Sequence, residues 1–291
     1  MQSSPFSPQT FWIEGFSAVS EYIKWKPGAI LEVHCVPKEQ QAVRRLFSES
    51  RLDVPLIVRD TKSQESHTRH PVSQQSAKAP KGPGAARDRP QVSRRDLGTK
   101  SFDRDTQRPV SIPTTPVFAK VVLSAVPAAD WVGRIAKNPQ SFILALDHVQ
   151  DPRNLGAILR SAAFFGVRSI LVPERRQVLL TQASVATAQG GFALCDLVCT
   201  VNLARTLRDL KDHGYWILGA TMDGETIDRV AGQYEKTVLV LGAEDTGLSR
   251  GIEDTCDRKV AIRGAGQLDS LNVSVAAGIL LNAFTNSHLR S

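Results

Sequence analysis

A chain of 291 residues, 42% of them hydrophobic and 22% charged, has material for one large core or two smaller ones, and its composition is that of a globular protein. No apolar run approaches the roughly 20 residues of a membrane span, and the opening MQSSPFSPQTFW lacks a basic segment followed by an apolar one, so neither a span nor a secretory signal is expected. The net charge of +7 is unevenly placed, because residues 61–109 hold eleven Lys or Arg against five Asp or Glu.

In chain order, residues 15–25 (GFSAVSEYIKW) predict a helix with Phe16, Val19 and Ile23 on one side. Residues 29–36 (AILEVHCV) alternate as a strand, 38–48 return as a helix and 55–58 as a short strand. These elements define a small α/β module over residues 11–60, to which 117–124 add a late strand. His34 reads as a strand-face residue rather than a ligand, and nothing in the module has the constellation of a catalytic site.

Residues 61–116 form a basic linker. Its 61–109 stretch has only Val72, Val92, Leu97 and Phe102 as large apolar side chains, too few to offset the entropy of ordering, so disorder is expected. A solvated tether and a non-specific contact to a polyanion both fit that composition.

From 138 to the end, strands at 142–147, 169–173, 196–200, 215–220, 237–241 and 258–262 alternate with helical stretches. The clearest helix is 202–212, capped by Asn202 and striped by Leu203, Leu207 and Leu210. Such alternation argues a parallel sheet with helices on both faces. The four cysteines are too few and too scattered for a disulfide framework, and Cys195 and Cys199 are not spaced as a CxxC pair. Buried thiols, no metal site and a reducing, cytoplasmic setting are the expectation.

Three stretches carry candidate chemistry, each just after a strand. In LALDHVQDPRNLGAILRSAAFFGV (144–167) a helix starting at Asn154 buries Leu155, Ile158, Leu159 and Ala162, while Gly156 and Arg160 lie beside that stripe. Taken alone, Arg160 reads as a solvated charge at the sheet's carboxyl edge, the edge where open α/β sheets hold ligands. Strand 237–241 runs into GAEDTGL (242–248), a glycine turn with Glu244 on its buried side; a plain tight turn explains it equally well. Strand 258–262 leads to RGAGQLDSLNVS, where Ser270 and Asn272 can act as caps of a helix, 275–284, apolar almost all round and therefore expected to be buried. Gly264 and Gly266 lack the third glycine of a dinucleotide fingerprint, since Asp269 stands there, and no P-loop lysine occurs.

Together NLGAILR (154–160), GAEDTGL (242–248) and SLNVSVA (270–276) resemble the motifs of the SpoU, or TrmH-like, family of RNA ribose 2′-O-methyltransferases, over roughly residue 142 to the C-terminus. The module with its EGFSAV start is similar to the L30e-like substrate-binding domain that many members carry, and NLARTLRDLKDHGYWILG (202–219) is most similar to the rRNA guanosine-2′-O branch. The resemblance implies a C-terminal trefoil knot, an exception to the general absence of knots, dimerisation through it, and S-adenosylmethionine bound within it. Carried over by motif, the cofactor contacts fall on Thr221, Gly242, Ile262 and Leu271, and the catalytic and substrate-ordering positions on Asn154, Arg160, Glu244, Ser270 and Asn272. Glu244 and Asn154 are expected to fix the Arg160 guanidinium, and Arg250 or Arg263 are candidates for an arginine supplied by a second subunit. RNA is the implied partner, rRNA before tRNA. A non-catalytic RNA-binding knot protein and a Rossmann-type oxidoreductase are the alternatives from other classes. The basic linker is a departure from the family pattern.

Overall fold

The computed structural model describes residues 7–59, 113–174, 180–266 and 270–288; the expected linker 61–116 lies outside them except at residues 113–116. The N-terminal module comprises β1 (Gln9–Glu14), α1 (Phe16–Trp25), β2 (Ile30–Cys35), α2 (Gln40–Ser50), β3 (Leu56–Val58) and β4 (Val117–Leu123). The sheet order is β1-β4-β2-β3, with β4 antiparallel to both neighbours and β2 parallel to β3. Strand β1 adds to the elements expected from the sequence, although its alternation is plain, since Phe11 and Ile13 are buried between more exposed neighbours. The late strand is central rather than peripheral. His34 is buried, stacks on Phe118 and accepts a 2.8 Å hydrogen bond at Nδ1 from Arg59 Nε, and burial lowers its pKa.

The C-terminal part runs β5 (Val126–Pro127), α3 (Ala128–Lys137), β6 (Phe142–Leu146), α4 (Pro152–Phe164), β7 (Ser169–Pro173), α5 (Gln182–Ala188), α6 (Gly191–Leu194) and β8 (Asp196–Thr200). It continues through α7 (Leu203–Asp212), β9 (Trp216–Thr226), α8 (Ile227–Val230), β10 (Thr237–Leu241), α9 (Arg250–Glu253), β11 (Arg258–Ala261) and α10 (Val273–His288). The strands form one seven-stranded sheet in the order β11-β9-β10-β6-β7-β8-β5. Every neighbouring pair is parallel. Alternate residues feed two layers: Leu144 and Leu146 join α4 and α10, whereas Ile143 and Ala145 join Trp131 of α3 and the Leu203, Leu207, Leu210 stripe of α7. Burial on both faces is why these strands read as continuous apolar runs. Each fully covered Leu or Ile contributes about 1.5–3 kcal/mol.

Three boundaries and one burial pattern differ from the sequence expectation, each for a local reason. Strand β5 precedes residue 138 yet belongs to the sheet, through the pairing of Val126 with Val198 and Pro127 with Cys199, and α3 after it packs Trp131 and Ile135 into the sheet's core. Strand β9 extends past Ala220 to Thr226 because its polar end pairs Glu225 with Val260 and Thr226 with Ala261 after a register shift. Gly224 permits that approach, since a Cβ there would lie 2.6 Å from Val260 N. Helix α4 starts at Pro152, not Asn154, because Asp151 caps it, accepting 2.7 Å from Arg153 N, and Pro152 suits the first turn. Helix α10 is not buried all round: Ala277, Leu280, Leu281 and Phe284 are covered, but Val275 and Ile279 are 50% and 40% exposed. A single chain offers only one layer for α10 to pack on, so its other apolar face stays open.

The cysteines are free: Cys35, Cys195 and Cys199 are buried and Cys256 is partly so. Burial pushes the Cys195 and Cys199 thiols up to about 12 and Cys256 up to about 11. A raised thiol pKa leaves the unreactive protonated form at neutral pH. Iodoacetamide at pH 8 should therefore label the native protein far more slowly than the denatured one, as intact-mass measurement would show; rapid native labelling would contradict this burial. Among the described residues no cluster of His, Cys, Asp and Glu could hold a metal ion, and no helix is long and apolar enough to cross a membrane.

Candidate active site

Parallel strands place all their carboxyl ends on one edge, so the loops after β6, β10 and β11 are brought together there although they are far apart in sequence. At this edge Asn154 Nδ2 donates to Glu244 Oε1 at 2.5 Å, and Asn272 Nδ2 donates to the same oxygen at 2.9 Å and lies 3.2 Å from Asn154 Oδ1. Residues from all three motifs thus form one hydrogen-bonded cluster. Asn272 also accepts from Ser274 N at 2.9 Å, a helix-capping contact, so capping and membership of the cluster coexist in one side chain.

Two expectations about this cluster need correction. Glu244 is exposed rather than on a buried side, because the turn carrying it projects beyond the strand end. Nor do Glu244 and Asn154 hold the Arg160 guanidinium. One Glu244 oxygen is taken by two amides, and Arg160 is exposed and makes no side-chain hydrogen bond or ion pair among the described residues. The six-residue step from Asn154 to Arg160 is about 9 Å of helix rise, which separates their backbones along α4.

Beside the cluster opens a cleft of about 1000 Å³. The four residues expected to contact cofactor, Thr221, Gly242, Ile262 and Leu271, all line it, as do Glu244 and Ser270, while Asn154, Arg160 and Asn272 stand outside its lining. Gly242 is required by the turn itself: a Cβ there would come 2.2 Å from Gly247 C and 2.4 Å from Leu248 N, both backbone atoms. Gly247 closes the same turn at φ 66°, where its Ala243 partner is bridged in both directions at 3.0 Å. Leu241, Val260 and Leu280 give the cleft an apolar wall. Among the described residues its charged lining is Asp223, Glu244, Asp245 and Glu253 with Arg263. Among the described residues the buried Thr221 hydroxyl makes no hydrogen bond. Arg263 is engaged within its own chain, donating to Gly224 O at 2.7 Å. A smaller cavity of about 360 Å³, lined by residues such as Gln140, Phe142 and Arg168 at the opposite edge, gathers none of the motif residues.

Sequence reasoning passed over one further pair. The buried Asp147 carboxylate, at the end of β6, accepts from Ser249 N at 2.7 Å through Oδ2 and lies 2.6 Å from His148 Nδ1 through Oδ1. It ties the loop leading to Asn154 to the loop that carries Glu244. His148 adopts φ 64°, uncommon for a residue with a Cβ, so the strand end is held in a strained turn. An acid closing an apolar strand was the visible signal; its partner, a backbone amide 102 residues on, leaves none in the sequence.

Comparison with known proteins matches residues 141–282 to the SpoU rRNA Methylase family. A Mycobacterium avium protein, described as an uncharacterized tRNA/rRNA methyltransferase, is 41% identical over 153 residues, which is 52% of this chain and 49% of that protein. The chain thus spans about half the length of the curated relatives it matches. Among solved structures, the SpoU methyltransferase AviRb from Streptomyces viridochromogenes, in complex with AdoMet, aligns with a TM-score of 0.66 at 17% identity, over 97% of this chain and 92% of that one. An AdoMet-bound rRNA methyltransferase from Sinorhizobium meliloti aligns with a TM-score of 0.62 at 20% identity, over 97% and 88%. At these identities the structural likeness is one of fold.

Proposed function

We propose, from the match of residues 141–282 to the SpoU rRNA Methylase family, that this chain is an S-adenosylmethionine-dependent RNA ribose 2′-O-methyltransferase. The observation that carries the reading is the convergence of Asn154, Glu244 and Asn272 into one cluster at the lip of a cleft lined by Thr221, Gly242, Ile262 and Leu271.

The cleft fits the cofactor on its own chemistry. Its apolar wall suits an adenine ring, and the backbone of three loops offers polar edges. Among the described residues the four lining acids stand against Arg263 and the Lys259 that pairs with Asp223 and Glu253, an acidic balance that favours a cationic sulfonium over a dinucleotide's pyrophosphate and argues against the oxidoreductase alternative. S-adenosylmethionine bound there supplies a methyl group on a positively charged sulfur. Thr221, Gly242, Ile262 and Leu271 would hold it, with Ser270 shaping the loop beside it.

The ribose hydroxyl must lose its proton as it attacks, so the protein's task is positioning plus help with one proton. Arginine is effectively always protonated and a poor acceptor. Arg160, exposed and uncommitted, instead orients the hydroxyl and an adjacent phosphate, with the phosphate sharing the proton. Glu244, fixed by two amides through one oxygen, keeps its other oxygen for the substrate side.

Large-subunit rRNA, at a guanosine, is the substrate we favour, on the resemblance of residues 202–219 and the two-part layout. A homodimer, covering the exposed Val275 of α10 beside the cleft that Ile279 lines, is the proposed assembly, with the knot that the family fold implies at its interface. Mapping ribose methylation by mass spectrometry in rRNA and tRNA from cells lacking the protein tests all of this. A lost rRNA mark, restored by wild type but not by Arg160→Ala, is the expected result. Loss of a tRNA mark would keep the enzyme and replace the substrate, and no lost mark in either pool would favour a non-catalytic scaffold.

A further inference from the structure

The module's sheet has an outer edge at β1, and an unpaired edge strand exposes backbone donors and acceptors. At Trp12 that edge is closed by a side chain. Trp12 N donates to Gln182 Oε1 at 3.1 Å, and Gln182 Nε2 donates to Trp12 O at 2.7 Å. The Gln182 amide uses its oxygen and one of its two N–H groups here as a peptide group would, so it acts as a single residue of an added strand. Gln182 is the first residue of α5, whose start is fixed by the reciprocal Thr181–Ser184 capping box.

Helix α5 in turn lies against the helix that carries Asn154 and Arg160. A Cβ on Gly156 would meet Ser184 O at 2.5 Å and Thr187 Cβ at 2.7 Å, so the two helices are in backbone contact. Helix α6 repeats the arrangement, with Gly191 close to Leu159 O and Arg160 N, at 3.0 and 3.2 Å from its would-be Cβ. The module touches this layer a second time, where Lys26 Nζ donates to Phe192 O at 3.2 Å and lies 3.7 Å from Asp196. Gly190, at φ 95°, brings the same turn against Ala18 of α1.

We propose that Gln182 is a positioning residue for the RNA substrate: its amide locks the module's edge strand to the layer bearing the catalytic helix, so RNA held by the module arrives at a fixed place relative to Arg160. The proposal rests on the methyltransferase reading for its substrate, but the joint itself is read directly from the contacts. Neither Gln182 nor Trp12 lines the cleft, so cofactor binding is independent of the joint.

The test compares wild type with Gln182→Ala and Gln182→Glu, using bulk rRNA either intact or digested to short fragments. Hydrogen exchange at the Trp12 amide should quicken in Gln182→Ala. The KM and the directly measured Kd for intact rRNA should rise about tenfold, the loss of two hydrogen bonds, with kcat, cofactor affinity and the values for short fragments unchanged. Gln182→Glu keeps the acceptor for Trp12 N but sets a second carboxylate oxygen against Trp12 O, acceptor facing acceptor, so it should lose at least as much as Gln182→Ala. Faster Trp12 exchange with no change in intact-rRNA Kd would overturn the proposal, as would an equal loss on intact and fragmented RNA. If wild type binds rRNA but transfers no methyl group, the functional reading fails, and the Kd comparison still decides the role of Gln182.

Discussion

Arg160→Lys should lower methyl transfer by on the order of 10²–10³-fold, the usual cost of losing one pre-positioned donor group at a reacting centre, while S-adenosylhomocysteine binds as to wild type. The charge survives this substitution. What is lost is the planar fork that holds a hydroxyl and a phosphate together, which an ammonium cannot reproduce. Cofactor affinity should hold because Arg160 lies outside the cleft lining. Single-turnover transfer to rRNA, paired with calorimetry of the cofactor product, separates the two effects. Full turnover by the lysine variant would remove Arg160 from the reaction.

The second large effect is at Gly242. A methyl group there would collide with Gly247 C and Leu248 N at 2.2–2.4 Å, and neither atom can swing away as a side chain does. The turn must open, moving Glu244 from the amides of Asn154 and Asn272 and reshaping the cleft from its lip. Gly242→Ala should therefore cost about 1–3 kcal/mol of stability and weaken cofactor binding by at least about tenfold. Denaturant melts and calorimetry would show both. A variant with wild-type affinity would mean that the turn does not shape the cofactor site. Gly247→Ala is a useful contrast, because its Cβ meets open space and the strain there is only that of its positive φ.

Most of the sheet was legible because its strands are buried on both faces and so are written as unbroken apolar runs; β7, β8 and β10 fall where the runs fall. The polar half of β9 was not, since residues 222–226 carry no period and pair only because Gly224 lets β11 come close. The candidate site residues were named through motif resemblance, and Asn154, Glu244 and Asn272 among them share hydrogen bonds. What motifs cannot convey is which groups bond to which. The expected guanidinium clamp is replaced by an amide–carboxylate cluster, and the Asp147 tie and the Gln182 joint depend on backbone partners that carry no side-chain signature.

The position of β4 has a consequence for how the chain is made. Residues 7–59 supply both outer parts of the module's sheet, but the strand that joins β1 to β2 is Val117–Leu123. At ordinary synthesis rates its emergence follows that of β3 by several seconds. During that interval β1 has no partner strand, and the core residues Phe11, Ile13 and Val33 await Ala119 and Val121. The nascent module must wait, open, for its own keystone, and a fragment ending at residue 59 would carry every helix of the module and still have no continuous sheet on which to pack them.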